Sequence, residues 1–205
     1  MPDFAFENEY YTNGCTAIAG TDEAGRGPLC GDVVAAAVIL PRDIFIEGLN
    51  DSKKISEKKR EKLYEVITKN ALSYGIAYAS VEEIDELNIL NASQLAMRRA
   101  VSMLTPCPDM VLVDGNIARG FTMETRTIIG GDSLSCSIAA ASILAKVTRD
   151  RMCVDWDQAY PEYGIAGHKG YATKAHIEAL KEYGPCPIHR KSFLSKILAG
   201  TPFAL

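Results

Sequence analysis

The sequence is poor in the residues that build zinc sites and cysteine–histidine active sites. Three histidines (168, 176, 189) and six cysteines (15, 30, 107, 136, 153, 186) are scattered over 205 residues with no Cys-x-x-Cys and no Cys/His ligand spacing. Structural zinc needs such closely spaced ligand pairs, so none is expected. The cysteines read as reduced, mostly buried thiols of a cytoplasmic protein, and nothing marks one of them as a nucleophile. No apolar run approaches the ~20 residues that span a bilayer. Residues Met1-Pro2-Asp3-Phe4-Ala5-Phe6-Glu7 lack both the basic flank and the apolar core of a secretory signal. No Pro/Gly/Ser linker and no repeat divides the chain, so a single domain over 1–205 is expected.

What is present is an ordinary globular composition, 47% hydrophobic and 23% charged, sufficient for a sizeable core. The formal charge of −4 argues mildly against a nonspecific nucleic-acid binder, yet its distribution is uneven. Asp51–Lys62 holds six basic residues against three acidic, and Gly164–Leu198 holds six Lys/Arg against two Glu together with all three histidines. Acidic residues gather elsewhere, as in Glu82-Glu83-Ile84-Asp85-Glu86. A basic track on an acidic protein is therefore expected. Lys58, Lys59, Arg60 and Lys62 read as the solvated face of a helix. Lys53 and Lys54 precede Ser56, an N-cap residue type, and are open to a loop role.

The chain is organised around Gly20-Thr21-Asp22-Glu23-Ala24-Gly25-Arg26-Gly27-Pro28. A β-prone run, Cys15–Ala19, precedes it, and the apolar run Val33–Leu40 follows. The acidic pair thus falls at a strand end. Successive strand side chains face opposite ways, so Asp22 and Glu23 are expected to share a site only if the pleat breaks there. Glycines 25 and 27 permit such a break and a close backbone approach to a ligand, leaving Arg26 free for a phosphate. Alone, the string suits a surface turn better than a site. However, Met110–Val113 leads into Asp114, and Thr125–Ile129 leads through Gly130-Gly131 into Asp132, so three strand ends can gather four carboxylates. Such a cluster is costly without cations, and oxygen-only ligands suit Mg²⁺ or Mn²⁺. Asp132 also suits an N-cap.

Periodicity predicts helices over 56–69 (core face Leu63, Val66, Ile67), about 91–104 (Met97, Val101, Leu104) and about 136–158 (Ile138, Ala141, Leu144, Val147, Val154), with short helices near 173–183 and 190–199 and a third strand over Tyr74–Ala79. Strands followed by alternating strands and helices give an α/β fold, a mixed sheet covered by helices.

The ordered set Asp22–Pro28, Leu49-Asn50-Asp51-Ser52-Lys53-Lys54, Val113–Asn116, Gly131-Asp132-Ser133, Ala141–Asp150, His168-Lys169-Gly170-Tyr171 and His189–Phe193 resembles bacterial ribonuclease HII, a type 2 ribonuclease H, from about Gly20 to Phe193. The resemblance implies a ribonuclease H-like catalytic domain with its core over about 16–160 and a helical C-terminal part over about 161–205. It implies an endonuclease that cuts the RNA strand of RNA/DNA hybrids, and at ribonucleotides embedded in duplex DNA, leaving 5′-phosphate and 3′-hydroxyl ends. Asp22, Glu23 and Asp114 are its implied metal ligands, with Asp132 a fourth, for two Mg²⁺ or Mn²⁺ ions. The Gly25-Arg26-Gly27 backbone is the implied contact to the ribose 2′-OH, the group that separates RNA from DNA. Tyr171 would pack on the neighbouring deoxynucleotide sugar. Lys53 is a candidate phosphate contact, with Lys54, Lys146 and Lys169 behind it. His168 and His176 are read as structural hydrogen-bonders, with phosphate contact as the alternative. Two further readings are a ribonuclease HIII, whose extra N-terminal domain is not expected where the acidic motif arrives by residue 22, and a silent hybrid-binding module, disfavoured by four retained carboxylates. A monomer is expected, without a membrane partner. The tail from Ala199 to Leu205 carries no sliding-clamp docking string.

Overall fold

The computed structural model describes residues 1–42 and 44–204. In chain order the elements are α1 (Ala5–Thr12), β1 (Ile18–Ala24), β2 (Val33–Ile39), α2 (Glu57–Asn70), β3 (Ser73–Ala79), α3 (Val81–Leu87), α4 (Ile89–Ser102), β4 (Met110–Asp114), β5 (Glu124–Ile128), α5 (Cys136–Ala159), α6 (Ile165–His168), α7 (Lys174–Tyr183) and α8 (Lys191–Leu198). The strands form one sheet in the order β3-β2-β1-β4-β5. The first three are antiparallel neighbours, whereas β4 runs parallel to β1 and β5 parallel to β4. The expected mixed sheet between helices is what the chain forms.

Every residue of β2 is buried, as its unbroken Val/Ala/Ile run requires of a strand covered on both faces. One face, with Ala19, Ala35, Ala37, Val111 and Val113, packs on Ala92, Ala96, Met97, Ala100 and Val101 of α4. The other face, with Ala36 and Val38, packs on Ala139, Ala140, Ile143 and Leu144 of α5 and on Leu63 and Ile67 of α2. α5 lies close enough to β1 that a β-carbon on Gly20 would overlap the backbone of Ser137 and Ile138. Both helix faces differ from the sequence reading at one position each. Val66 and Val154 are 41% and 43% exposed, because each lies at the edge of the buried stripe rather than on it.

Three helices were not anticipated, the single turn of α6 among them. α3 begins with a capping box in which Ser80 Oγ accepts from the Glu83 N–H and the Glu83 carboxylate accepts from the Ser80 N–H, so the acidic run is a helix start. α1 delivers the fully buried Glu7 to the start of α5, where its Oε1 accepts from Ser135 Oγ at 2.6 Å and the Ser137 N–H at 2.9 Å. Ser135 is the α5 N-cap and receives the Ile138 N–H, so Asp132 does not cap that helix. The C-terminal helices build a separate apolar cluster with Leu29, Cys30, Cys153, Tyr163, Leu180, Leu194 and Leu198.

Candidate active site

The sheet register does what a broken pleat was expected to do. Pairing of β1 with β2 continues without interruption through Asp22↔Ala36, Glu23↔Ala35 and Ala24↔Val34, so Asp22 and Glu23 face opposite sides of an intact strand. The parallel register Thr21↔Val113 then sets Asp114 beside Asp22 on the α5 side. Glu23 approaches from the α4 side around the strand's end. Both faces open there, so an open groove of about 600 Å³ is lined by Asp22, Glu23 and Asp114 together. A smaller recess on the α4 side is shared by Glu23, Asp114, Gln94 and Asn116.

The carboxylates crowd one another. Burial, then the charges of Glu23 and Asp114, push the Asp22 carboxyl well above the usual carboxylate range, against a hydrogen bond from Ser142 and one from the Glu23 N–H at 2.7 Å. Burial also raises Glu23, with Asp114 adding to it, although Arg26 pulls it down. Asp132 lies beyond Asp114, its N–H 3.4 Å from Asp114 Oδ1, and burial followed by Asp114 and Asp51 raises it as well. An all-oxygen set that repels itself fits a hard divalent cation, which removes the repulsion it is paired with.

The other expected residues converge on the same groove: Gly25, Arg26, Gly27, Lys53 and Tyr171 line it. Gly25 has φ +98°, and a β-carbon there would overlap Arg149 Nε; one on Gly27 would meet the Tyr171 ring at 3.2 Å. Tyr171 is 48% exposed, so its ring forms a wall of the groove rather than a buried anchor. Lys53 Nζ stands 3.8 Å from Asp132 Oδ2, and Asp22 and Asp132 raise its pKa despite opposing burial. Arg26 is not free: its Nη1 donates to Glu23 Oε1 at 3.2 Å.

Of the secondary candidates, Lys146 lines the groove but is paired with Asp150 at 2.6 Å, and Lys54 donates to Ser133 Oγ at 3.2 Å. Lys169 caps α6 with φ +54° and offers its carbonyl to Arg149 at 3.0 Å. The histidines are occupied with one another. Gly170 N–H donates to His168 Nδ1, so its Nε2–H donates to the Tyr163 carbonyl. His176 Nδ1–H donates to the Tyr171 carbonyl, which leaves Nε2 to accept from His189 Nε2 at 3.0 Å. The Cys186 N–H donates to His189 Nδ1. The ligand atoms of Cys30, His176 and His189 lie within 4.8 Å of one another, as a metal site's would. The relay nevertheless fixes His189 as the Nε2–H tautomer, so that nitrogen is a donor and not a ligand. His176, fully buried, is out of reach of a phosphate.

Sequence reasoning missed four groove residues. Ser142 and Ser52, whose hydroxyls are 2.8 Å apart, lie in strings that carry the family resemblance but were given no role there. Arg60 was assigned to a solvated face, but its guanidinium turns back to the Ser52 and Ile55 carbonyls and Asp150 and lines the groove; Lys58, Lys59 and Lys62 are exposed as expected. Arg149, 1% exposed, donates to the carbonyls of Cys30, Asp32 and Lys169.

Residues 19–196 match the family model described as Ribonuclease HII. The chain belongs to the ribonuclease HII family. It is similar to the ribonuclease HII of Clostridioides difficile (strain 630), 56% identical over 193 residues that cover 94% of this chain and 76% of that one. Among solved structures it resembles the ribonuclease HII of a PCNA complex from Archaeoglobus fulgidus, with TM-score 0.72, 26% identity, and coverage of 88% of this chain and 96% of that one. A Bst-RNase HIII in complex with Mn²⁺ shares the fold at TM-score 0.66 and 16% identity, over 94% of this chain and 65% of that one. Family membership makes the protein an endoribonuclease of the ribonuclease H type, a hydrolase acting on the RNA strand of RNA/DNA hybrids. Among the described residues, no helix is long and apolar enough to cross a membrane.

Proposed function

We propose that this ribonuclease H cuts both continuous hybrids and single ribonucleotides embedded in duplex DNA, on the 5′ side of a phosphate, leaving 5′-phosphate and 3′-hydroxyl ends. The observation that carries the reading is the meeting, in one groove, of Asp22, Glu23 and Asp114 with the Gly25–Gly27 turn and the Tyr171 ring. Hydrolytic chemistry and sugar reading then act on the same nucleotide.

Asp22, Glu23, Asp114 and Asp132 would hold Mg²⁺ or Mn²⁺. Bound divalent ions of this kind lower the pKa of water and neutralise charge on phosphoryl and leaving oxygens. The chain's own residues orient the reaction. Ser142 and the Glu23 N–H fix the Asp22 carboxylate, and the Arg26 guanidinium holds Glu23. The turn offers backbone N–H groups to a ribose hydroxyl, and a site built to bond a hydroxyl rejects the sugar that lacks it. The Tyr171 ring offers a flat apolar face to the next sugar. Lys53, with its side chain 79% exposed, would meet a phosphate. No histidine serves as base in this scheme. We take the chain to act as one catalytic domain, monomeric and cytoplasmic.

Product mapping on a duplex with one ribonucleotide tests reaction, strand and position together. Cleavage 5′ to the ribonucleotide, leaving a DNA 3′-hydroxyl, is expected; cutting of the all-deoxy duplex at a comparable rate would defeat the reading.

A further inference from the structure

Arg190 is fully buried, yet among the described residues no carboxylate pairs with it. Its guanidinium is spent on four backbone carbonyls of one short loop. Nε donates to Gly31 at 2.8 Å, Nη1 to Arg26 at 3.0 Å and to Pro28 at 2.8 Å, and Nη2 to Gly25 at 2.6 Å. Burying a cation without an anion is costly, and only a full set of acceptors offsets it. Burial, then the nearby Arg149, lowers the Arg190 pKa to about 10, which still leaves it charged at neutral pH.

The consequence lies on the far side of each peptide. In a trans amide the C=O and N–H point opposite ways. With the Gly25 and Arg26 carbonyls both turned onto Arg190, the N–H groups of Arg26 and Gly27 are turned away from it, into the groove those residues line. Among the described residues neither N–H donates to a protein acceptor. Two neighbouring unpaired donors form a concave seat for an electronegative oxygen. From the other side Arg149 closes on Gly25, so the turn is clamped between two buried guanidiniums.

We infer that Arg190 is a positioning residue for sugar discrimination: it does not touch the substrate, but it sets the two peptide planes whose N–H groups read the ribose. This rests on the proposed role of the Gly25–Gly27 turn as the 2′-OH reader. A lysine keeps the charge but offers donors from a single nitrogen, which cannot serve four divergent carbonyls. A second handle is Asp85, half-buried on α3 and outside the groove. It accepts from the N–H groups of Lys191 and Ser192 and so anchors the residues next to Arg190.

The experiment compares the full-length wild type, Arg190→Lys and Asp85→Ala, each with Mg²⁺. It measures KM and kcat on a single-ribonucleotide duplex and the inhibition constant of the matching all-deoxy duplex. Thermal melting identifies the folded variants. The wild type is expected to hold the ribonucleotide duplex more tightly. Arg190→Lys is expected to raise its KM by roughly ten- to a hundredfold while the all-deoxy constant stays put, and Asp85→Ala to move the same ratio in the same direction by less. If a folded Arg190→Lys leaves the ratio of the two constants unchanged, the inference is overturned; if that variant does not fold, an unchanged ratio in Asp85→Ala overturns it. A wild type that binds both duplexes equally removes the sugar-reading role of the turn itself, and the inference with it.

Discussion

At the scale of single residues, the carboxylates of the groove are held against their own electrostatics. Asp22 and Asp114 sit side by side on one face of two parallel strands, and burial plus mutual repulsion raise Asp22. Asp22→Asn and Asp114→Asn are each expected to lower kcat by roughly 10²–10³-fold or more, while the metal-free Tm stays level or rises because a repulsive charge is gone. Steady-state kinetics with Mg²⁺ and a melt in chelator check both halves, and retained activity in either variant would remove that residue from the metal set. Tyr171 makes a finer test. Its exposed ring stands where a β-carbon on Gly27 would meet it at 3.2 Å, and Tyr171→Ala is expected to hurt a single-ribonucleotide duplex more than a continuous hybrid. Tyr171→Phe removes only a hydroxyl, about 1 kcal/mol net, and is expected to be milder on both. Equal losses on the two duplexes with a lowered Tm would leave Tyr171 a structural role.

At the scale of elements, the site depends on how closely α5 lies on β1. Gly20 stands two residues before Asp22, with the α5 backbone at Ser137 and Ile138 where its side chain would be. Gly20→Ala is expected to push helix and strand apart, costing about 1–3 kcal/mol as an overpacked core and displacing Asp22 from Ser142. A denaturant melt together with kcat reads both effects; a stable, fully active variant would show that the contact yields freely. These elements also show what the sequence disclosed. Helices with one apolar stripe were legible, as in Met97 and Val101 on α4, and so were the strand end at Asp114 and the turn at Asp132, because periodicity and turn glycines lie on the surface of the sequence; the run read as Cys15–Ala19 instead continues as β1 through Asp22 and Glu23 to Ala24. The sharing of one site by Asp22 and Glu23 was foreseen, but by the wrong route, since the opening of both sheet faces at a strand end depends on strand order. Arg60, Arg149 and Arg190 were illegible as groove builders. Arg149 and Arg190 lie in strings that carry the family resemblance, but most partners of the three are carbonyl oxygens, which every residue has, so no spacing of side chains shows what they hold.

At the scale of the whole molecule, acid reaches the fold through the histidine relay as well as through the carboxylates. Burial, then His176, lower the His189 pKa from 6.5 to about 4. The unfolded chain therefore takes up a proton that the folded one refuses, and stability from this group is complete above about pH 6.5 and is lost as pH falls toward 4, by roughly 3 kcal/mol in all. Asp22, Glu23 and Asp132 act with the opposite sign, since their raised pKa values make protonation favour the folded chain. The difference between wild type and His189→Gln isolates the histidine. The variant is expected to lose less Tm between pH 7 and pH 5 than the wild type; an equal loss would assign the acid sensitivity to other groups.

The guanidinium of Arg190 meets the carbonyl of Gly25 across 165 positions of chain. A ribosome delivers the turn at Gly25 first and the side chain that holds it 165 residues later. A nascent chain halted between residues 133 and 190 carries the acidic residues of β1, β4 and the Asp132 turn but not Arg190, so on the reading proposed above it holds the cutting groups before the side chain that sets the peptides after them. On that reading discrimination follows the cutting groups in synthesis, together with His189, which is tied through His176 to the Tyr171 carbonyl.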